Sequence, residues 1–132
     1  MRLGKPRRRA DPEHQLQVEF TTWRRHPAIL KRYPELRWAY AIPNGGKRSK
    51  ATAGKLKAEG VEAGVFDYCL PVPAGGYAGL YLEFKAGKNT TTELQDAFRE
   101  FAENQGYRCA VVWTLGAAIM IVESYLRGEG NE

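Results

Sequence analysis

Residues 65 to 113 carry two short β-rich runs, a strongly periodic helical stretch and a third apolar run. That succession restricts the fold more than any other feature of the chain. Residues 65–72 and 78–85 read as strands joined by Pro73-Ala74-Gly75-Gly76, which predicts an antiparallel hairpin with a long turn. Thr90-Thr91-Thr92-Glu93 has the form of a capping box, and Leu94, Ala97, Phe98, Phe101 and Ala102 follow at helical spacing. Gly106 stops that helix, and residues 107–113 read as an apolar strand buried on both faces. A helical crossover after a hairpin brings the last strand in parallel, so the expected sheet is mixed and covered by helices.

The flanking segments extend this pattern. Asp11-Pro12 opens a first helix to about Arg25, with an apolar stripe of Leu16, Phe20 and Trp23. Glu19 falls on that stripe, and a carboxylate on a buried-looking face needs a reason. Residues 36–42 read as a strand ended by Pro43-Asn44-Gly45-Gly46, and residues 49–59 as a short basic helix closed by Gly60. Thr114 caps a last helix running to Gly128. The expected order is α-β-α-β-β-α-β-α, an α/β domain spanning residues 11–128 between a basic tail, residues 1–10, read as disordered, and a short C-terminal tail, residues 129–132.

At 132 residues the chain fits one domain. Its longest nearly unbroken apolar stretch, residues 109–122, is 14 residues, short of the ~20 that cross a bilayer. No membrane association is expected. The N-terminus lacks the apolar segment of a secretory signal, and Cys69 and Cys109 sit inside apolar runs, so the expectation is a cytoplasmic protein with reduced thiols.

Charge is unevenly spread. Five basic residues precede Asp11 without an acid and account for the whole formal net charge of +5. Between Arg24 and Lys57 stand ten basic residues against Glu35 alone. A segregated basic region beside a basic tail suits a polyanion such as nucleic acid, although a solubilising surface explains the charge alone equally well.

The chemistry concentrates in Leu80-Tyr81-Leu82-Glu83-Phe84-Lys85. A period of two places Tyr81, Glu83 and Lys85 on one face. Hairpin pairing brings Asp67, from the preceding strand, towards Glu83. Two close carboxylates repel unless a cation lies between them, and hard oxygen ligands select Mg²⁺ or Mn²⁺. A neighbouring lysine then orients or deprotonates an attacking water, so Asp, Glu and Lys are the residue types that phosphodiester hydrolysis requires. An isolated E-x-K is usually a cross-strand salt bridge. Here Asp67, Glu19 and the basic region converge on one reading. Other sites fare worse: Gly45-Gly46-Lys47-Arg48-Ser49 departs from a Walker loop, and His14 and His26 have no zinc-like spacing.

From about Glu13 to Leu126 these residues resemble the PD-(D/E)xK nuclease superfamily, and within it the VRR-NUC family of structure-specific DNA nucleases. The likeness rests on Glu19, Ile42-Pro43-Asn44-Gly45-Gly46, Gly64-Val65-Phe66-Asp67, Leu82-Glu83-Phe84-Lys85, Gln95 and Gly106-Tyr107. Phe66 stands where the family usually has proline, a position that shapes backbone and ligates nothing.

The resemblance implies a restriction-endonuclease-like α/β fold, a mixed sheet with flanking helices. It implies metal binding by Asp67, Glu83 and the main-chain carbonyl of Phe84, with Lys85 positioning the water. Glu19 assists from the first helix through a water or a second ion. Gln95 orients Lys85 or a scissile phosphate, or is a helix-surface amide. Asn44, together with Lys47, Arg48, Lys50 and Lys55 of the basic region, would contact nucleic acid. The implied protein is a homodimeric, Mg²⁺- or Mn²⁺-dependent endonuclease of DNA repair or recombination that cuts branched DNA such as four-way junctions. The alternatives are a restriction-like or flap nuclease on the same fold, or a binding module that has lost catalysis.

Overall fold

The computed structural model describes residues 11–43 and 49–129. Helix α1 (Pro12–Arg25) starts where expected: Asp11 Oδ1 accepts from the N–H groups of Glu13 (3.1 Å) and His14 (3.3 Å), and Pro12 fills the first turn. Its buried positions are Leu16, Phe20 and Arg24. The spacing is that of one helical face, rotated slightly from the expected stripe, so Trp23 is half-buried and Glu19 exposed.

Between α1 and the sheet the expected pattern gives way. Pro27 begins a second helix, α2 (Pro27–Arg32), capped by the His26 side chain, whose Nδ1 accepts from Ala28 N–H at 3.1 Å. Residues 36–42 were expected as one strand; instead Pro34–Trp38 is a 3₁₀ turn and only Tyr40–Ala41 (β1) is extended. A backbone constraint and a contact override the β propensity of that run. Pro34 presets the first helical φ, and the Leu36 carbonyl accepts from Arg24 while its side chain is fully buried.

Helix α3 (Lys50–Ala58), capped by Ser49, follows and buries no residue. Strands β2 (Tyr68–Leu70) and β3 (Leu80–Phe84) pair antiparallel, with Tyr68 opposite Leu82. Both strands are shorter than expected. Their connection ends in a two-residue turn in which Gly75 (φ 57°) and Gly76 (φ 87°) sit between the paired Ala74 and Tyr77. Positive φ at both positions is what such a hairpin tip demands. Helix α4 (Glu93–Asn104) then crosses to β4 (Arg108–Val112), which pairs parallel with β3, and α5 (Leu115–Leu126) closes the chain from its Thr114 cap.

The sheet order β1-β2-β3-β4 is mixed, and helices lie on both faces. One face (Tyr68, Leu70, Leu80, Leu82, Phe84, Val112) packs on α1 and α5 through Leu16, Phe20, Ala118, Val122 and Tyr125. Phe20 meets Tyr68 edge-on at 5.1 Å, and removing such a ring costs about 3–5 kcal/mol. The other face packs Phe66 and Cys109 on Ala102 and Phe98 of α4. Phe66, in the place of the expected proline, is fully buried against Phe98 at 5.4 Å and so anchors the approach to Asp67. Both cysteines are free and buried. Among the described residues no helix is long and apolar enough to cross a membrane.

Candidate active site

The β2–β3 pairing ends at Tyr68 and Leu82, and Asp67, Glu83 and Lys85 lie just beyond that end. Gly64 (φ 91°) lets the chain approach α4 so closely that a Cβ there would collide with Leu94, and this sets the path of Val65 and Phe66 towards Asp67. The Asp67 carbonyl accepts from Ile42 N–H at 2.7 Å, continuing the β1–β2 pairing.

The two carboxylates are interlocked. Asp67 N–H donates to Glu83 Oε1 at 3.1 Å, and Phe84 N–H donates to Asp67 Oδ2 at 2.9 Å. Glu83 Oε2 accepts from Gln95 Nε2 at 2.9 Å and lies 3.4 Å from Lys85 Nζ. Both members of that ion pair are buried, Glu83 at 2% exposure and Lys85 at 7%. Burial first, and the Asp67 charge second, push the Glu83 carboxyl up to about 7, against the opposing pull of Lys85.

The peptide linking Phe84 to Lys85 points its N–H at the Val112 carbonyl on β4, 2.9 Å away. A planar trans peptide directs its carbonyl the opposite way, towards β2. The Phe84 carbonyl therefore shares its side of β3 with Asp67.

Gln95 reaches the site through its helix cap. The capping box closes on Thr92 and Gln95, two residues later than the expected Thr90–Glu93 box: Thr92 Oγ1 accepts from Gln95 N–H at 3.1 Å, and Gln95 Oε1 accepts from Thr92 N–H at 3.0 Å. With its oxygen held by the cap, the amide presents its nitrogen to Glu83. Gln95, half-buried, thus contacts the Glu83 carboxylate. Thr92→Val should remove about 1 kcal/mol of cap stability, read as a fall in Tm of a few degrees; an unchanged Tm would show that the box does not form.

The first helix contributes a different acid from the expected one. Glu19 is exposed and its Oε1 accepts only a long 3.4 Å bond from Gln15, so it lies outside this cluster. Glu13, half-buried in the first turn, reaches the segment after Lys85: its Oε2 accepts from Ala86 N–H at 3.3 Å and Asn89 Nδ2 at 2.7 Å. The signal was present in the sequence. Continuing the Arg24, Phe20, Leu16 face one step towards the N-terminus arrives at Glu13.

Of the residues expected to meet nucleic acid, Lys50 and Lys55 are exposed on α3; Asn44, Lys47 and Arg48 lie outside the described residues.

A solved structure described as a VRR_NUC domain protein superposes with a TM-score of 0.73 over 92% of this chain and 93% of its own, at 24% sequence identity. The chain has the fold of a VRR_NUC domain protein. Neither a protein-family model nor a curated protein matches the sequence. The VRR_NUC fold agrees with the mixed, helix-flanked α/β architecture expected from the hairpin, crossover and last strand. Within it, Asp67, Glu83, Lys85 and Gln95 converge at one end of the central β2–β3 pair.

Proposed function

We propose that the chain is a nuclease of the VRR-NUC family that hydrolyses phosphodiester bonds in branched DNA with Mg²⁺ or Mn²⁺, acting as a homodimer. The observation that carries this reading is the Asp67–Glu83 pair with Lys85 against it, in which burial of Glu83 and the neighbouring Asp67 charge disfavour the ionised form of Glu83.

The donor set fits such a cation. It consists of carboxylate oxygens and a carbonyl, and among the described residues no group of three or more Cys, His, Asp or Glu assembles. Two carboxylates with a carbonyl suit an ion that keeps several waters and takes further ligands from a substrate phosphate. Asp67, Glu83 and the Phe84 carbonyl would hold it. When bound, the ion supplies positive charge at the phosphoryl oxygens and acidifies water.

The chain's own residues do the rest. Lys85 orients the attacking water and offsets negative charge as it develops on phosphorus. Gln95 fixes Glu83 Oε2, and Glu13 takes the assisting place first assigned to Glu19 by holding the backbone that follows Lys85. Lys50 and Lys55, with Asn44, Lys47 and Arg48, meet the phosphate backbone. No covalent intermediate is needed, because water attacks phosphorus directly.

Labelled four-way junction, flap, duplex and single-stranded DNAs, incubated with and without Mn²⁺, test the reading. Metal-dependent cutting of branched DNA is expected. Preferential cutting of unbranched duplex would replace it by a restriction-like nuclease, and binding without cutting any substrate would replace it by an inactive module.

Assembly follows from one site per chain. Paired cuts at a two-fold junction are most simply made by a two-fold dimer, and Trp38 (66% exposed) and Phe101 (63% exposed) leave apolar surface for an interface. Tyr33 and Tyr125 are buried in the core and offer no such surface. Light scattering at micromolar concentration is expected to give twice the chain mass of 14.8 kDa. The single-chain mass under conditions of paired cutting would refute the dimer.

A further inference from the structure

A second concentration of positive charge lies away from the carboxylates. Edge strand β1, the end of α1 and the 3₁₀ turn enclose a cavity of about 400 Å³ whose lining includes Arg24, Arg25, Arg37, Thr21, Tyr40 and Tyr68, and no acid. Arg24 is 5% exposed. Its Nε donates to the Tyr68 hydroxyl, its Nη1 donates to the Leu36 carbonyl at 3.4 Å, and its guanidinium stacks over the Tyr68 ring at 5.3 Å. All of these partners are neutral.

The ion pairs among the described residues are Arg32–Glu123, Lys85–Glu83, Arg99–Glu103 and Arg127–Glu129. None involves Arg24, Arg25 or Arg37. A buried guanidinium without a counter-charge is costly, and here it lines an open cavity with two more arginines. The tyrosine is itself held: its hydroxyl is 3.0 Å from Thr21 Oγ1, which in turn donates to the Gln17 carbonyl. Arg37 is steadied by stacking on Trp38, 5.2 Å to the ring centroid. Arg24 and Arg37 are thus held in place before any ligand arrives, and planar guanidinium groups are the donors best matched to phosphate oxygens.

We propose that this cavity is a second phosphate-binding site, which takes a backbone phosphate of the nucleic acid at a distance from the bond that is cut. The choice of nucleic acid as the source of the phosphate rests on the nuclease reading. The placement is consistent with one strand serving both sites. Tyr68 follows Asp67 directly in the chain, and α1 carries Glu13 at one end and Arg24 and Arg25 at the other, about 16 Å apart by helical rise. A phosphate in the cavity would therefore belong to a nucleotide several positions from the scissile one. The site would fix the register and orientation of the DNA without reading its sequence.

Arg24 supports the core, so the exposed pair is the one to change. DNA binding is measured by anisotropy in EDTA over a range of salt concentrations for wild type, R25A/R37A and R25K/R37K, each first shown to melt like wild type. R25A/R37A is expected to weaken binding at least tenfold and to lower the salt slope by about two. R25K/R37K should restore the slope but not the affinity, since lysine lacks the fork. Wild-type affinity in R25A/R37A overturns the site, and full affinity in R25K/R37K reduces it to diffuse charge and overturns it as well. Because the assay reads binding and not cleavage, failure of the nuclease reading leaves this result standing, and failure of the cavity leaves cleavage by the carboxylate site standing.

Discussion

Lys85→Ala is expected to lower the rate of cleavage of saturating DNA by about 10²-fold or more while changing DNA affinity only a few-fold. The buried position of Lys85 makes the split specific. Its amine is turned inward, 3.4 Å from Glu83 Oε2 and almost closed to solvent, so it has little surface to offer a ground-state phosphate. Charge that develops during water attack is what it is placed to meet. Lys85→Arg should not rescue the rate, because a planar fork cannot occupy the place of a compact ammonium in a closed site. Single-turnover cleavage beside direct binding separates the two effects. Loss of binding with an unchanged rate on saturating DNA would show Lys85 to be a phosphate contact instead.

Much of this site was legible because β structure makes residue spacing rigid. Period two along Leu80 to Lys85 put Glu83 and Lys85 on one side, and hairpin pairing brought Asp67 across to them; the structure realises both. The helical half was read less well. On α1 the expected stripe Leu16, Phe20 and Trp23 does pack on the core, but the buried face also takes in Arg24 and reaches back to Glu13, while Glu19 beside the stripe stays exposed. Burying an arginine is what the apolar pattern could not anticipate. That guanidinium is accommodated by Tyr68 and the Leu36 carbonyl, contacts far apart in sequence, and the same contact helps turn residues 34–38 into a 3₁₀ segment despite their strand-like composition. Gln95 came from the family resemblance alone, and its target depended on which threonine caps α4. The box on Thr92 consumes its oxygen and leaves only the nitrogen for Glu83.

In the absence of divalent cations the folded chain is expected to lose stability as pH rises from about 4.5 to about 7, and Mg²⁺ or Mn²⁺ should return it. The Glu83 carboxyl titrates near 7 in the folded chain against an ordinary 4.5, raised by burial and by Asp67. The folded state therefore holds that proton more tightly than the unfolded state does. Its contribution is complete below about 4.5 and disappears as pH passes through about 7, where the pair becomes doubly charged. A cation held by the two carboxylates competes with the proton, so its stabilising effect should be largest above pH 7 and shrink on acidification. At one hundred times its Kd, a cation bound only by the folded state adds about 2.7 kcal/mol, a Tm gain of several degrees that EDTA reverses. Glu83→Gln removes the titrating group and one of the two anionic ligands together, so both the pH slope and the metal response should collapse in that variant. A wild-type Tm that is level from pH 4.5 to 8 in EDTA and indifferent to Mn²⁺ would refute the cation site. Cleavage at full rate in EDTA would do the same.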